Sequence, residues 1–149
     1  MSIFNAINSS ASALTAQRLR MDVVSSNIAN AQTTRATINE NGEYDPYRRK
    51  TVVMEPQNQS FKSFLHKAAN ANGSSGVKVT EIIEDDEPFK LVFNPSHPDA
   101  NEAGYVQLPN VDPLKEMVDM MSATRSYEAN ITSLNASKTM LMKALEIGK

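Results

Sequence analysis

The sequence predicts a mainly α protein with a small β insert. Long N- and C-terminal amphipathic helices, packed as a coiled coil, bracket a small β-rich domain. Three observations carry this reading. Apolar residues recur at steps of four and three near both ends of the chain. Neither of those stretches has an interior Gly or Pro. The span between them holds every proline except Pro113 and four of the five glycines, among short alternating runs. Period 3.5 marks a helix–helix seam, and period 2 marks a half-buried strand.

Residues 1–32 form the first element. Stepping by four and three gives Ile3, Ile7, Ser10, Leu14, Gln17, Met21, Val24 and Ile28, of which six are apolar. Ser2 is suited to cap the helix start. Asn27 and Asn30 stand where the helix should close, and Asn tolerates the left-handed conformation that closes helices. Residues 111–149 form the last element. Asp112-Pro113 is a strong helix start, because Asp caps and Pro is preorganised for the first helical position. The seam there reads Met117, Met120, Thr124, Tyr127, Ile131, Leu134, Lys138, Leu141 and Leu145. Ser137 falls off this stripe. At 1.5 Å per residue the two helices should be about 40 and about 50 Å long.

Residues 33–110 form the insert. Candidate strands are Tyr47–Met54, Val77–Ile83, Phe89–Phe93 and Tyr105–Leu108. Asn41-Gly42, Asn72-Gly73, Ser75-Gly76 and Pro95 mark turns. Gln59–Ala71 is ambiguous: Phe61, Phe64, Leu65 and Ala68 have helical spacing, but the flanks are rich in Asn and Ser.

Composition narrows the function. A net charge of −2 argues against nucleic-acid binding, which favours a strongly basic domain. The absence of Cys excludes disulfides, thiol catalysis and Cys-based zinc sites. No apolar run exceeds three residues, so no membrane-spanning helix is expected and the chain is read as not an integral membrane protein. The N-terminus has neither the basic start nor the apolar stretch of a cleaved secretory signal. Hydrophobic residues make up 40% of the chain, below the usual share of about 45–50%. The core is therefore thin. Two helices and a small insert bury little surface alone, and the expected remedy is packing against further chains.

Few residues suggest chemistry. His66 and His97 have no companions at ligand spacing, and His97, in Asn94-Pro95-Ser96-His97-Pro98, reads as a turn histidine. Glu84-Asp85-Asp86-Glu87 lacks the spaced ligands of a calcium loop and reads as a solvated turn. Arg48-Arg49-Lys50 beside Tyr44 and Tyr47 reads as a charged strand edge or a contact surface. Gly73-Ser74-Ser75-Gly76 matches neither a nucleophile elbow nor a phosphate loop. No catalytic set, metal site or cofactor site emerges, and the chain is not read as an enzyme.

Three stretches together resemble one family. Ser26-Asn27-Ile28-Ala29-Asn30, followed by Thr33-Thr34, is similar to the helix-exit signature of the bacterial flagellar axial (rod and hook) proteins. Pro46-Tyr47-Arg48-Arg49-Lys50 resembles the C type of basal-body rod subunit. So does the run from Gly76-Val77-Lys78-Val79 through Asn94-Pro95, His97-Pro98 and Gly104-Tyr105-Val106 to Pro109-Asn110-Val111-Asp112. The Thr33-Thr34-Arg35-Ala36-Thr37 run departs from the Gly-aromatic continuation of many axial proteins. The C-terminal Ser126-Tyr127-Glu128-Ala129-Asn130 also resembles the family.

The resemblance implies a structural subunit of the proximal flagellar rod that transmits torque through packed terminal helices. It implies export through the flagellar type III apparatus without a cleaved signal peptide. The implied partners are further copies, rod subunits of the B, F and G types, and FliE, the protein joining rod and MS ring. The expected assembly interface is the two seams: Ile3, Ile7, Leu14, Met21, Val24 and Ile28, with Met117, Met120, Tyr127, Ile131, Leu134, Leu141 and Leu145. Asn27, Ile28, Ala29 and Asn30 shape the helix exit, and Tyr47, Arg48 and Arg49 are candidate contacts of the insert. The competing reading is a free-standing coiled-coil adaptor or secretion chaperone, which would stop at a soluble dimer.

Overall fold

The computed structural model describes residues 3–39, 42–57 and 76–147. Helix α1 spans Ile3–Ala29 and helix α2 spans Pro113–Ile147. Between them lie β1 (Thr37–Ile38), β2 (Tyr44–Asp45), β3 (Lys50–Pro56), β4 (Val77–Glu84), β5 (Lys90–Phe93) and β6 (Tyr105–Leu108). They pair as three two-stranded sheets, β1 with β2, β3 with β4 and β5 with β6. The predicted mainly α class with a small β insert is therefore observed. The first and third sheets are antiparallel, with Ile38 opposite Tyr44 and Val92 opposite Val106. In the β3–β4 sheet, Gln57 N donates to Gly76 O and Asp85 N to Arg49 O, as in an antiparallel ladder.

Each helix end has a local cause. Asp112 Oδ1 accepts the Leu114 N–H at 3.0 Å and Asp112 O accepts that of Glu116, so the expected Asp-Pro start is used. At the exit of α1 the backbone N–H and the side-chain amide of Asn30 both donate to Ser26 O, while Asn30 Oδ1 accepts from Thr33 Oγ1. No left-handed residue closes the helix. Among the described residues only Gly42 and Gly104 have positive φ. The expectation of a left-handed Asn27 or Asn30 is corrected: the Asn30 amide donates to Ser26 O, and the Ala31 and Thr33 N–H groups donate to Ile28 O and Asn30 O.

The strands differ from expectation mainly at their edges. The Tyr47–Met54 run starts three residues later, at Lys50, because the Tyr47 N–H is already bonded to Thr33 O. β6 has its predicted bounds. The pairing of β1 with β2 follows from the turn at Gly42, whose N–H donates to Asn39 O, but no strand was expected there. The Gln59–Ala71 segment, His66 and the Asn72-Gly73 turn lie outside the described residues.

The chain divides into two compact units that do not follow the sequence boundaries. The first takes Met1–Met21, Val52–Glu81 and Ser122–Lys149. Among the described residues those it buries are small: Ser10, Ala16, Ala123 and Ser137. Thr124 Oγ1 lies 3.6 Å from Met21 Sδ, and the Val77 N–H donates to Ser12 Oγ at 3.0 Å, so part of the insert is held by α1. The second unit takes Asp22–Thr51 and Ile82–Met121. It buries Val23, Val24, Val106, Pro109 and Val111 around polar groups.

Candidate functional site

A short helix exit, one strand start and one helix start meet in the second unit. The residue that joins them is Asn27, which is fully buried. Its amide uses all its capacity. Nδ2 donates to Lys50 O at 2.8 Å and to Glu116 Oε2 at 2.9 Å. Oδ1 accepts from Tyr47 OH and from Lys50 N, both at 3.0 Å. An Asn so placed ties α1 to the start of β3 and to the first turn of α2. A buried amide with all its bonds made fixes one geometry, because every alternative leaves a donor or acceptor unmet.

Arg49 completes the cluster. Its Nε donates to Glu116 Oε1 at 2.6 Å, Nη1 to Asp85 Oδ2 at 3.2 Å and Thr51 Oγ1 at 3.1 Å, and Nη2 to Asp119 Oδ2 at 3.4 Å. The Glu116 side chain has no exposed surface and that of Arg49 is 13% exposed. Asn110 closes the far side: Oδ1 accepts the Arg49 N–H at 2.7 Å, and Nδ2 donates to the carbonyls of Asp85 and Glu87. Burial pulls the Arg49 pKa down, but hydrogen bonding and charge from Glu116 and Asp85 outweigh it, and the net shift is upward. The Glu87 N–H, together with Arg49, holds Asp85 below the usual carboxylate range despite some opposing desolvation. The Glu84–Glu87 run thus links β4 to β5 while giving one carboxylate to this cluster. Arg48 stacks over the Phe89 ring at 4.5 Å.

A second cluster in the same unit holds the loop after α1. Thr34 Oγ1 donates to Asp99 Oδ2 at 2.8 Å, and Arg35 grips Asp99 Oδ1 through Nε and Nη2. These bonds, Arg35 first, hold the Asp99 pKa below its ordinary value. His97 Nδ1 accepts the Asp99 N–H at 3.1 Å, the loop role expected of it. Among the described residues no three acidic or histidine side chains gather as a metal ion would need.

The seam residues fall on two faces. In α1, Val24 is buried and Ile7, Leu14, Met21 and Ile28 are half-buried; Ile3 begins the helix. In α2, Met120, Tyr127, Leu134 and Leu141 are half-buried, whereas Met117, Ile131 and Leu145 are exposed. The covered row of α2 runs Glu116, Met120, Ala123, Tyr127, Asn130, Leu134, Ser137, Leu141. The row covered within the chain therefore passes one residue before Met117, Thr124, Ile131 and Lys138 of the expected stripe. Ser137, expected off the stripe, is 6% exposed. Of the helix-exit group, Asn27 is buried, Ile28 and Asn30 are half-buried and Ala29 is exposed. Tyr47 is buried, and Arg49 makes the contacts just described within its own unit. Sequence reasoning missed Glu116, and it singled out Asn110 only as part of the Pro109-Asn110-Val111-Asp112 motif. An acid in the first helical turn ordinarily signals only the helix dipole, so nothing marked Glu116 as buried.

Comparison with known proteins agrees with this geometry. Residues 7–37 match the family described as flagella basal body rod protein, and residues 102–147 match that described as flagellar basal body rod FlgEFG protein C-terminal. The chain is 62% identical over 151 residues to the flagellar basal-body rod protein FlgC of Bacillus subtilis (strain 168), covering all of both chains. It is 44% identical over 154 residues to the protein of that name from Borreliella burgdorferi, covering 99% and 98%. The Salmonella typhimurium protein of that name is 42% identical over 149 residues, again covering all of both. The chain belongs to the flagellar basal-body rod protein FlgC family.

Proposed function

We propose that this rod-family chain is a structural subunit of the proximal rod, which carries torque through terminal helices packed against those of neighbouring subunits. One observation carries the reading. Leu114, Met117, Val118 and Met121 form an exposed apolar stripe on the first turns of α2, and Ile131, Met142 and Leu145 are exposed farther along it. An exposed apolar stripe of this kind marks a packing surface. Covering each such side chain is worth about 1.5–3 kcal/mol. The neighbours are further copies and other rod-type subunits, and repeated non-self-complementary contacts between them build an open helical tube. The chain reaches the rod through the flagellar type III export apparatus. No helix among the described residues is long and apolar enough to cross a membrane.

The test is Met121→Asp, supplied to cells lacking the native subunit. A carboxylate in the stripe is costly to desolvate. The expected result is a subunit that is made and exported, without completed rods in isolated basal bodies and without swimming. Ala129→Asp, exposed and off the stripe, should be milder. Rods and motility like the parent's with Met121→Asp would remove the helix-packing mechanism.

A further inference from the structure

The β5–β6 sheet has an outward face that nothing within its unit covers. Its register puts Leu91 and Phe93 on the same face as Gln107 and Tyr105, and turns Val92 and Val106 the other way. Val106 is buried, whereas Leu91 and Phe93 are 64% and 63% exposed and Tyr105 is 44% exposed. The outward side chains form an ordered surface, since the Phe93 and Tyr105 rings meet edge to face with centroids 5.3 Å apart. Gly104 brings the backbone close under that surface, where a Cβ would lie 2.9 Å from Phe93 Cε2. An exposed aromatic patch of this kind marks an interaction surface.

A cavity of about 430 Å³ adjoins it, and Tyr105 and Gln107 belong to its wall. Tyr44, Glu43, Asp45 and Asp99 complete the part that matters. The acids there are unequally matched. Asp99 is held by Arg35, whose guanidinium also lies 5.3 Å from the centre of the Tyr44 ring. The Asp45 carboxylate has only a 3.5 Å approach from the Asn39 amide. Among the described residues no cation pairs with Glu43 or Asp45. The open site therefore offers two carboxylates and the exposed rings of Tyr105 and Tyr44, the latter shared with Arg35, beside an apolar sheet.

That combination fits one side chain. A guanidinium is planar, stacks on an aromatic face and donates in a fork that matches a carboxylate. Arg35 already uses this chemistry on two residues of the cavity wall, Asp99 and Tyr44. Arginine anchors set among aromatic residues dominate many protein interfaces. We propose that the outward face of β5–β6 and its cavity dock an arginine, flanked by apolar residues, presented by an adjoining protein chain. The proposal rests on the chain standing among other subunits, and it concerns the insert rather than the helix stripe.

Two experiments test it. The isotope-labelled full chain is titrated with acetyl-Leu-Arg-Leu-amide and with its citrulline counterpart, which keeps the shape and loses the charge. The expected result is saturable amide shifts confined to residues 43–46 and 91–107, at least about tenfold tighter for the arginine peptide. Glu43→Gln with Asp45→Asn should abolish the difference. Equal binding of the two peptides, shifts elsewhere, or no saturable shift would overturn the proposal. In cells with assembled rods, Phe93 is replaced by p-benzoylphenylalanine and irradiated. A crosslink mapped to a segment of another chain bearing an arginine supports the proposal; one mapped to a segment without arginine, or none, refutes it. The titration needs no rod. Tight arginine-peptide binding alongside normal assembly of Met121→Asp would leave the docking site standing and the helix reading lost.

Discussion

Arg49→Met isolates the buried ion pair. Met keeps much of the stem volume and removes the charge. It leaves Glu116 wholly enclosed, with only the Asn27 amide donating to it. Removing one partner of a buried pair costs about 3–5 kcal/mol, because the remaining charge is neither paired nor hydrated. Asp85 and Asp119 also lose a partner, but each side chain is 30% exposed and turns to water at little cost. A domain of this size is stable by about 5–15 kcal/mol, so the variant should lose a large fraction of its margin. The melting temperature should fall by roughly 10–20 °C. Arg49→Lys retains a charge but loses the fork, and should fall between parent and Met. Adding Glu116→Leu to Arg49→Met removes the stranded carboxylate and should recover more than about 1 kcal/mol relative to additivity. Urea unfolding followed by circular dichroism reads the parent, the three single variants Arg49→Met, Arg49→Lys and Glu116→Leu, and the double variant. A cost below about 1 kcal/mol for Arg49→Met, or strict additivity in the double variant, would show that the cluster does not hold the second unit together.

Two further outcomes follow from local geometry. The folded-state pKa of Asp99 is depressed, chiefly by the Arg35 hydrogen bond, so its contribution to stability is present above the ordinary carboxylate value and is lost as pH falls through the lowered one. Asp99→Asn should therefore flatten the acid limb of urea midpoint against pH below about pH 4, leaving the part due to Asp85; an unchanged limb would contradict the assignment. Gly104→Ala forces a side chain to φ 79° and into contact with Phe93 Cε2 and Pro95 Cβ at 2.9 and 3.2 Å, whereas a Cβ at Gly42, φ 82°, meets nothing within 4 Å. Each should lose about 1–2 kcal/mol to the backbone term, with Gly104→Ala losing more; equal urea midpoints for the two would exclude the steric part.

How much was legible differs sharply between elements. Both long helices could be read because their apolar period is sustained and neither is broken by an interior Gly or Pro. The Asp112-Pro113 start was readable because it uses local chemistry alone. β6 was readable as a short alternating run, but the late start of β3 was not, since it depends on a bond from Tyr47 to Thr33 across the chain. The polar cluster was half legible. Asn27 and Pro46–Lys50 stood out as motif residues, yet their partners Asn110 and Glu116 are 83 and 89 positions from Asn27, and no local pattern links them. A charge that reads as a solvated helix start can be buried when an arginine from elsewhere arrives to meet it.

The seam of α2 shows the same limit within a single element. A fixed alternation of steps of three and four from Met117 passes through Met117, Ile131 and Leu145, which are exposed. The row covered within the chain instead runs through Ala123 and Ser137, one residue earlier than Thr124 and Lys138. Small side chains let backbones approach closely, so a close intrachain contact consumes Ala and Ser and leaves the larger apolar groups for another surface. Ser137 Oγ donates to Ser133 O at 3.0 Å, which satisfies the hydroxyl inside this contact without a partner from elsewhere. A carboxylate at Ser137 would therefore disturb the chain's own packing. Hydropathy ranks what leaves water most eagerly, whereas burial within one chain depends on what fits. The difference between the two rankings separates the residues covered within this chain from those it leaves exposed.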